Sequence, residues 1–157
     1  MSIIKQHINN RHLVITRIFD APREEVFKAW IDPIQMAKWW GPKAFTNPVC
    51  ELDARAGGKI HIDMQAPDSH INPMVGKFHE IDEPNRLVFT TTAFKDENGE
   101  PQIENLNTIT FEDFEGKTKL TLDVKVLKVS PAIEPALSGM ETDWKQSFDK
   151  LAYIICN

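Results

Sequence analysis

The sequence has few cysteines, no long apolar run and no block of like charge. Cys50 and Cys156 lie far apart, and neither has a CxxC partner or a histidine at metal-ligand spacing. These absences argue against a disulfide framework or a zinc site and favour two buried, reduced thiols. No window approaches the roughly 18 apolar residues of a membrane span, and the first residues lack the features of a secretory signal. We therefore expect a cytoplasmic protein without membrane insertion.

The charge of the chain is mildly acidic and evenly spread. The formal net charge is −5, and acidic and basic residues are interspersed. Because no cluster of lysine and arginine could follow a phosphate backbone, nucleic acid is not an expected partner. Hydrophobic residues make up 41% of 157 residues, which is enough to bury one core. One domain over residues 1–157, with its core at about 12–155, is the expected organisation.

Local patterns predict one strand, two short helices, six further strands and one long helix. β-branched residues at 12–19 indicate the first strand, and Pro22 and Pro33 each open a short helix. After Pro131, apolar residues recur every three or four positions, which is typical of one face of a long helix. Turn sequences between the six strand-like segments favour an antiparallel meander. These predicted strands are 49–53, 60–65, 74–81, 86–94, 107–114 and 119–127.

The order β-α-α-β6-α predicts an α+β helix-grip fold, with a curved antiparallel sheet wrapped around the C-terminal helix. The concave side of such a sheet must be covered, and only the last helix is long enough to cover it. A single helix rarely fills so curved a sheet, so a cavity is expected between the two. Gly139 costs on the order of 1 kcal/mol relative to alanine within a helix, so it indicates either a close backbone approach or a bend, and a bend would open one end of this cavity.

Two adjacent tryptophans, Trp39 and Trp40, end the second short helix. Neighbouring positions on a helix point about 100° apart. One ring can therefore join the core while the other faces a cavity, a groove or another molecule. Closure of the helix end by packing alone is the alternative interpretation. The exposed loop predicted at 67–73 is expected to form one lip of the cavity entrance near this pair.

Apolar side chains from both layers are the candidate ligand-binding residues. Ile60, Ile62 and Met64 share one face of a strand by the period of two, and methionines adapt to ligands of variable shape. Ordinary core packing is the alternative for each apolar candidate. The candidates are Trp39, Trp40, Phe45, Ile60, Ile62, Met64, Met74, Phe78, Glu80, Phe89, Leu137, Met140, Trp144 and Phe148.

Glu80 is the charged member of this set. If it shares the concave face with Phe78, its carboxylate would lie in an apolar cavity, protonated or paired with Arg55 or Arg86. An exposed strand glutamate is the alternative. His61, Asp63 and His79 are expected on the opposite, solvated face, so neither a metal site nor a catalytic residue is predicted there.

A family resemblance is carried by seven segments: 21–30, 39–42, 53–58, 76–81, 84–89, 108–111 and 139–151. In this order the chain resembles the Bet v 1-like or START-like (SRPBCC) helix-grip superfamily. It is most similar to single-domain proteins related to the activator of heat-shock protein 90 ATPase. The resemblance implies a pocket between sheet and helix, which in many members holds lipids, sterols, polyketides or other apolar molecules.

The expected function is binding of a small hydrophobic or amphipathic molecule, without catalysis and without a cofactor. One alternative is a chaperone-associated interaction module that uses the outer face of the sheet or the Trp39–Trp40 pair. Another is an enzyme similar to polyketide cyclases and aromatases, which would need a buried acid/base pair. A monomer or a weak homodimer is expected, with a chaperone as an alternative partner.

Overall fold

The computed structural model describes residues 11–155, which form one seven-stranded sheet and three α-helices. The strands are β1 (His12–Phe19), β2 (Thr46–Leu52), β3 (Lys59–Gln65), β4 (Ile71–Asp82), β5 (Arg86–Lys95), β6 (Pro101–Phe114) and β7 (Lys117–Val129). The helices are α1 (Arg23–Ile31), α2 (Pro33–Trp39) and α3 (Met140–Ile155), and a 3₁₀ turn at Glu134–Gly139 precedes α3. No helix among residues 11–155 is both long and apolar enough to cross a membrane.

The sheet is antiparallel throughout, in the spatial order β1-β7-β6-β5-β4-β3-β2. Strands β2 to β7 form a meander, and β1 pairs with β7 from His12↔Lys125 to Phe19↔Thr118. Since β1 and β2 lie at opposite edges, α1 and α2 carry the chain from one edge to the other. The predicted α+β helix-grip fold is confirmed.

Local sequence signals explain where α2 begins. Asp32 caps the helix by accepting a hydrogen bond from the Ile34 N–H at 2.9 Å, and Pro33 occupies the first helical position. The hydrogen bond from the Gln35 side chain and that from Ile34 N–H lower the pKa of the Asp32 carboxyl. Asp32 is therefore held ionised at the helix N-terminus, where a negative charge is favourable.

Aromatic rings form the centre of the core. Trp30 is fully buried, and its ring centroid lies 4.6 Å from that of Trp39 and 6.2 Å from those of Phe111, Phe148 and Trp144. Rings at such distances contribute about 0.5–1.5 kcal/mol per pair beyond the area that they bury. This cluster joins α1 and α2 to the sheet and to α3.

Several boundaries differ from the sequence-based expectation, among them the start of β2 at Thr46 instead of 49. Strand β6 begins at Pro101 instead of 107, and β4 begins at Ile71, so the predicted loop 67–73 is partly strand. The final helix begins at Met140, because Glu134–Gly139 forms a 3₁₀ turn with a proline in its first positions. Gly139 therefore lies at the junction between the two helical segments, where the backbone changes geometry.

Candidate functional site

A cavity of about 280 Å³ lies between the N-terminal half of α3 and the concave face of the sheet. Its volume is close to the lower limit of small-molecule sites, which is roughly 300 Å³. Six of the fourteen predicted ligand-binding residues line it. They are Trp40, Phe45, Met64, Met74, Met140 and Trp144.

Most of the other predicted residues lie in the packed core instead of the cavity wall. They are buried, with exposed fractions of 8% or less, and among the described residues none of them lines the cavity. This group comprises Trp39, Ile60, Ile62, Phe78, Phe89, Leu137 and Phe148. All of them except Leu137 belong to one hydrophobic core cluster.

Glu80 lies outside the cavity because a bulge interrupts the alternation of β4. Phe78 pairs with Phe89, but Glu80 pairs with Val88, so one residue between them is left over. Since Phe89 is buried on the concave side, its neighbour Val88 faces the opposite side, and Glu80 shares that face. The exposed Glu80 carboxylate lies 3.3 Å from the Arg86 guanidinium.

The adjacent tryptophans have different environments. Trp39 is fully buried, and its Nε1 donates a hydrogen bond of 2.9 Å to the Ala29 carbonyl. Trp40 is 7% exposed and lines the cavity, where its ring meets Trp144 edge-on at 5.3 Å between centroids. One ring thus fixes α2 to α1, and the other forms a wall of the cavity.

Residues 40–45, which we call the strap, connect α2 to β2 and form one side of the cavity. Gly41 has φ +92°, and a Cβ added there would lie 3.0 Å from Met64 Cε. Glycine is therefore favoured at this position both by its backbone conformation and by the cavity wall.

The strap is held to α3 mainly through its backbone. Ser147 Oγ donates a hydrogen bond of 2.8 Å to the Gly41 carbonyl. Lys150 Nζ donates to the carbonyls of Pro42, Phe45 and Trp40 at 3.1, 3.4 and 3.5 Å. Burial lowers the pKa of the Lys150 ammonium. Three carbonyl acceptors surround this ammonium, so the contact fixes the distance between strap and helix.

The sheet contributes a polar strip to the cavity wall, formed by Thr91, Asn105 and Asn107. Asn107 is 1% exposed, and its Nδ2 donates to the Phe89 carbonyl and to Thr91 Oγ1, both at 3.3 Å. Asn105 Oδ1 is buried and accepts no hydrogen bond from the described part of the chain. Polar groups therefore lie inside an otherwise apolar cavity.

Sequence reasoning missed this polar strip because it began the strand at residue 107. The period of two was available as a signal: Ile103, Asn107, Ile109 and Phe111 are all buried, and Asn105 belongs to the same series. The asparagines interrupted the apolar pattern and hid the first half of β6. A bulge between Glu104 and Asn105, in the pairing with β7, adds to the irregularity.

The exposed lining residues Phe94 and Asp143 mark the side on which the cavity opens to solvent. Phe94 is 46% exposed and has φ +58°, a conformation that bulky residues rarely adopt. Partial burial raises the pKa of the Asp143 carboxyl. The mouth thus combines an aromatic ring on β5 with a carboxyl group on α3.

The remaining polar candidates lie away from the cavity. His61 Nε2 lies 2.9 Å from Asp63 and its Nδ1 lies 3.4 Å from Glu51. Over residues 11–155, no group of three or more potential ligands has a metal-binding arrangement. Cys50 is half-buried, and burial raises the pKa of its thiol to about 11, with further contributions from Asp32 and Glu51. Cys156 lies outside the described residues.

Solved structures of bacterial proteins share this fold. A solution structure from Arthrobacter aurescens is 25% identical, with a TM-score of 0.81 over 95% of this chain and 88% of that chain. A crystal structure from Chromobacterium violaceum is 24% identical, with a TM-score of 0.76 and coverages of 92% and 97%. One from Mycobacterium smegmatis is 24% identical, with a TM-score of 0.77 and coverages of 94% and 92%. Comparison with curated proteins finds no match.

A family assignment follows from the sequence match together with the fold. The sequence model described as "Activator of Hsp90 ATPase homolog 1-like protein" matches residues 20–155. This span runs from the end of β1 to the end of α3, so it includes every element that lines the cavity. The chain belongs to the family of Activator of Hsp90 ATPase homolog 1-like proteins, within the SRPBCC helix-grip superfamily.

Proposed function

We propose that the protein binds a small, largely apolar molecule in the cavity between α3 and the sheet. The observation that carries this proposal is the apolar lining of the cavity. Trp40 of the strap and Trp144 of α3 contact each other edge-on in the cavity wall, and Met64, Met74 and Met140 add to an apolar surface around unfilled space. A core that served stability alone would fill such a space, because interiors pack to crystal-like density.

The driving force is removal of apolar ligand surface from water. At about 25 cal/mol per Å², each 55 Å² or so of buried apolar surface raises affinity about tenfold, before the entropic cost of association. Methionine side chains adjust to the shape of a ligand, and tryptophans offer a large rigid surface. These properties support recognition of an apolar body by shape more than by charge.

The test is titration with the neutral fluorescent probe N-phenyl-1-naphthylamine. The unaltered chain should show saturable enhancement of probe emission together with a change in tryptophan fluorescence. Ala93→Phe adds a ring to the cavity wall and should weaken binding at least about tenfold, because it occupies ligand volume. Val75→Phe adds the same ring to β4 at a position that is 39% exposed, and it should leave binding unchanged.

Equal loss of probe binding in both variants, or no saturable binding by the unaltered chain, would contradict the proposal. Circular dichroism of each variant separates loss of binding from loss of folding. A folded Ala93→Phe variant with full affinity would place the probe elsewhere on the protein.

A chaperone contact is the second proposal, and the name of the family supports it. Trp39 and Trp40 are buried and offer no surface to a partner protein. The outer face of β1 is available, because Val14 and Ile18 are 54% and 43% exposed. If the protein accelerates ATP hydrolysis by purified Hsp90 and does not bind the fluorescent probe, the chaperone contact is favoured over ligand binding.

A further inference from the structure

Helix α3 carries three acidic residues, and one of them lies at the mouth of the cavity. Glu141 pairs with Lys145 at 2.7 Å on the exposed surface. Asp149 pairs with Arg17 of β1 at 2.8 Å. Asp143, which lines the mouth, forms no ion pair within the described part of the chain. Its carboxylate is therefore the one on this helix that is free to meet a ligand.

The surroundings of Asp143 favour a positive charge beside it. Burial raises the pKa of this carboxyl, and no described cation acts to lower it. Partial removal of a carboxylate from water is unfavourable unless a positive charge compensates for it. A cation at the mouth provides this compensation. Because the mouth opens to solvent, the cation also keeps part of its own hydration while an attached apolar body is buried.

The rest of the lining carries no charge that would attract an anion. Among the described lining residues Asp143 is the one charged side chain. Lys43 and Lys95 are neighbours of lining residues in the sequence, but both lie outside the lining. The nearby Lys150 ammonium donates to three carbonyls of the strap. The other polar lining side chains are neutral amides and hydroxyls, which can serve ligands of either charge.

Aromatic rings add to the preference for a cation. The face of an aromatic ring is negative, and it attracts a cation within about 6 Å of the ring centroid. Trp144 follows Asp143 directly on α3 and lines the cavity, and Phe94 is 46% exposed at the mouth. A cation at the mouth therefore has aromatic rings as well as a carboxylate among its neighbours.

We propose that the ligand is a small hydrophobic amine, whose protonated amino group lies beside Asp143 at the mouth while its apolar body fills the cavity. This inference rests on the proposed function, since it requires the apolar body to occupy the same cavity. An apolar cavity of about 150 Å³ is enough for benzene. The cavity of about 280 Å³ therefore suits a body of two fused rings.

The test is isothermal titration calorimetry of the full chain at neutral pH with three naphthalenes that differ in one group. 2-(Aminomethyl)naphthalene carries an ammonium, 2-naphthalenemethanol carries a neutral hydroxyl at the same position, and 2-naphthylacetate carries an anion. The amine should bind about fivefold more tightly than the alcohol, because the carboxylate and the rings each contribute modestly at a solvent-exposed mouth. The anion should bind more weakly than the alcohol, since it is repelled by Asp143.

Two matched variants locate the contact. Asp143→Asn removes the charge at similar size, and it should lower the affinity for the amine to that of the alcohol measured on the same variant. Asp149→Asn is the control, because it makes the same substitution on the same helix and changes the net charge equally. Its side chain is 71% exposed and lies outside the cavity lining, so the preference for the amine should persist.

The outcomes separate the charge preference from cavity binding. Equal affinities for the amine and the alcohol, or tightest binding of the anion, would overturn the preference for a cation and leave cavity binding intact. Equal loss of the preference in both variants would show attraction by net charge instead of contact with Asp143. An amine that binds without displacing N-phenyl-1-naphthylamine lies outside the cavity and also overturns the proposal.

Failure of all three naphthalenes to bind would overturn the inference as well, and titration with N-phenyl-1-naphthylamine then decides on cavity binding by itself. The comparison of the three compounds needs the unaltered chain alone, so a poorly folded variant does not remove the test.

Discussion

The two ends of the space beneath α3 are built from the same sheet and the same helix, but only one of them is filled. At the closed end, Trp30 packs against Trp39, Phe111 and Phe148. At the open end, Trp40, Met140 and Trp144 surround the cavity. Trp144 belongs to both ends, because its ring also stacks with Trp30 at 6.2 Å.

The difference between the ends follows from the size of the inward-facing residues of the sheet. Along β5 they change from Leu87 and Phe89 at the closed end to Thr91 and Ala93 at the open end. Along β6 they change from Phe111 and Ile109 to Asn107 and Asn105. The cavity therefore lies over Thr91 and Ala93 on β5 and over Asn105 and Asn107 on β6, and Ile103 at the far end of β6 also lines it. We therefore expect the stability of the fold to depend mainly on the closed end and ligand binding to depend mainly on the open end.

Removal of a ring from the closed end should have the largest effect on stability. Trp30→Ala leaves a hole among five aromatic rings, so the free energy of unfolding should fall by about 3–5 kcal/mol. The indole Nε1 of Trp30 makes no hydrogen bond within the described chain, so the loss comes from packing alone. Urea unfolding followed by circular dichroism measures it.

Trp144→Ala is the matched substitution at the boundary between the ends. Because Trp144 is only half-buried and lines the cavity, its removal should cost less than half as much stability while weakening probe binding. Equal destabilisation by Trp30→Ala and Trp144→Ala would show that the two ends contribute equally to stability, which would contradict the distinction between a packed end and a ligand-binding end.

Loss of the ammonium that holds the strap should have an intermediate effect. Lys150→Met keeps the aliphatic stem but leaves the carbonyls of Pro42, Phe45 and Trp40 without this donor. Stability should fall by about 1–2 kcal/mol, and affinity for the probe should fall because the strap forms one wall of the cavity. Thermal unfolding and probe titration check the two effects.

Lys145→Met is the control on the same helix. Lys145 pairs with Glu141 at 2.7 Å on the exposed surface, so its loss should change stability by about 0.5 kcal/mol or less and leave probe affinity unchanged. If both lysine substitutions behaved alike, the contact with the strap would have no special role at the open end.

Substitution of Asp143, which carries the carboxyl group at the mouth of the cavity, should have the smallest effect on stability. Burial raises the pKa of Asp143 above its ordinary value of 3.8, so the folded chain keeps the proton to a higher pH than the unfolded chain does. Stability should therefore fall slightly as pH rises from 3.8 through the raised pKa. Asp143→Asn should remove this fall, with a gain of less than about 0.5 kcal/mol at neutral pH. Chemical unfolding across the acidic range measures it, and a gain of stability over that range would contradict the assignment.

The sequence predicts the order of elements well because their signals are local. Asp32-Pro33 marks the start of α2, and Gly41 follows its end. The alternation of Ile60 and Ile62 places both side chains in the core. Such features depend on periodicity and on backbone preference, so they can be read from a few neighbouring residues.

The position of the cavity could not be read in this way, because it depends on pairing between strands. The bulge that turns Glu80 outward becomes visible only when its partner Val88 is known. The buried asparagines of β6 resemble loop residues until Asn105 is seen opposite Thr91. Six of the apolar candidates line the cavity. To distinguish them from the candidates in the packed core, the sizes of the neighbouring inward-facing residues on β5 and β6 must be known together.

The strap described above is anchored to α3 largely through its backbone: Ser147 and Lys150 donate to its peptide oxygens, and the Lys43 N–H donates to Gln146 Oε1. Every amino acid carries such an oxygen, so the attachment does not specify which side chains the strap presents to the ligand. Pro42 and Phe45 can therefore be exchanged during divergence while the loop keeps its course. Descendants of one ancestral scaffold can acquire new ligands by changing these two positions while Gln146, Ser147 and Lys150 on the helix are retained.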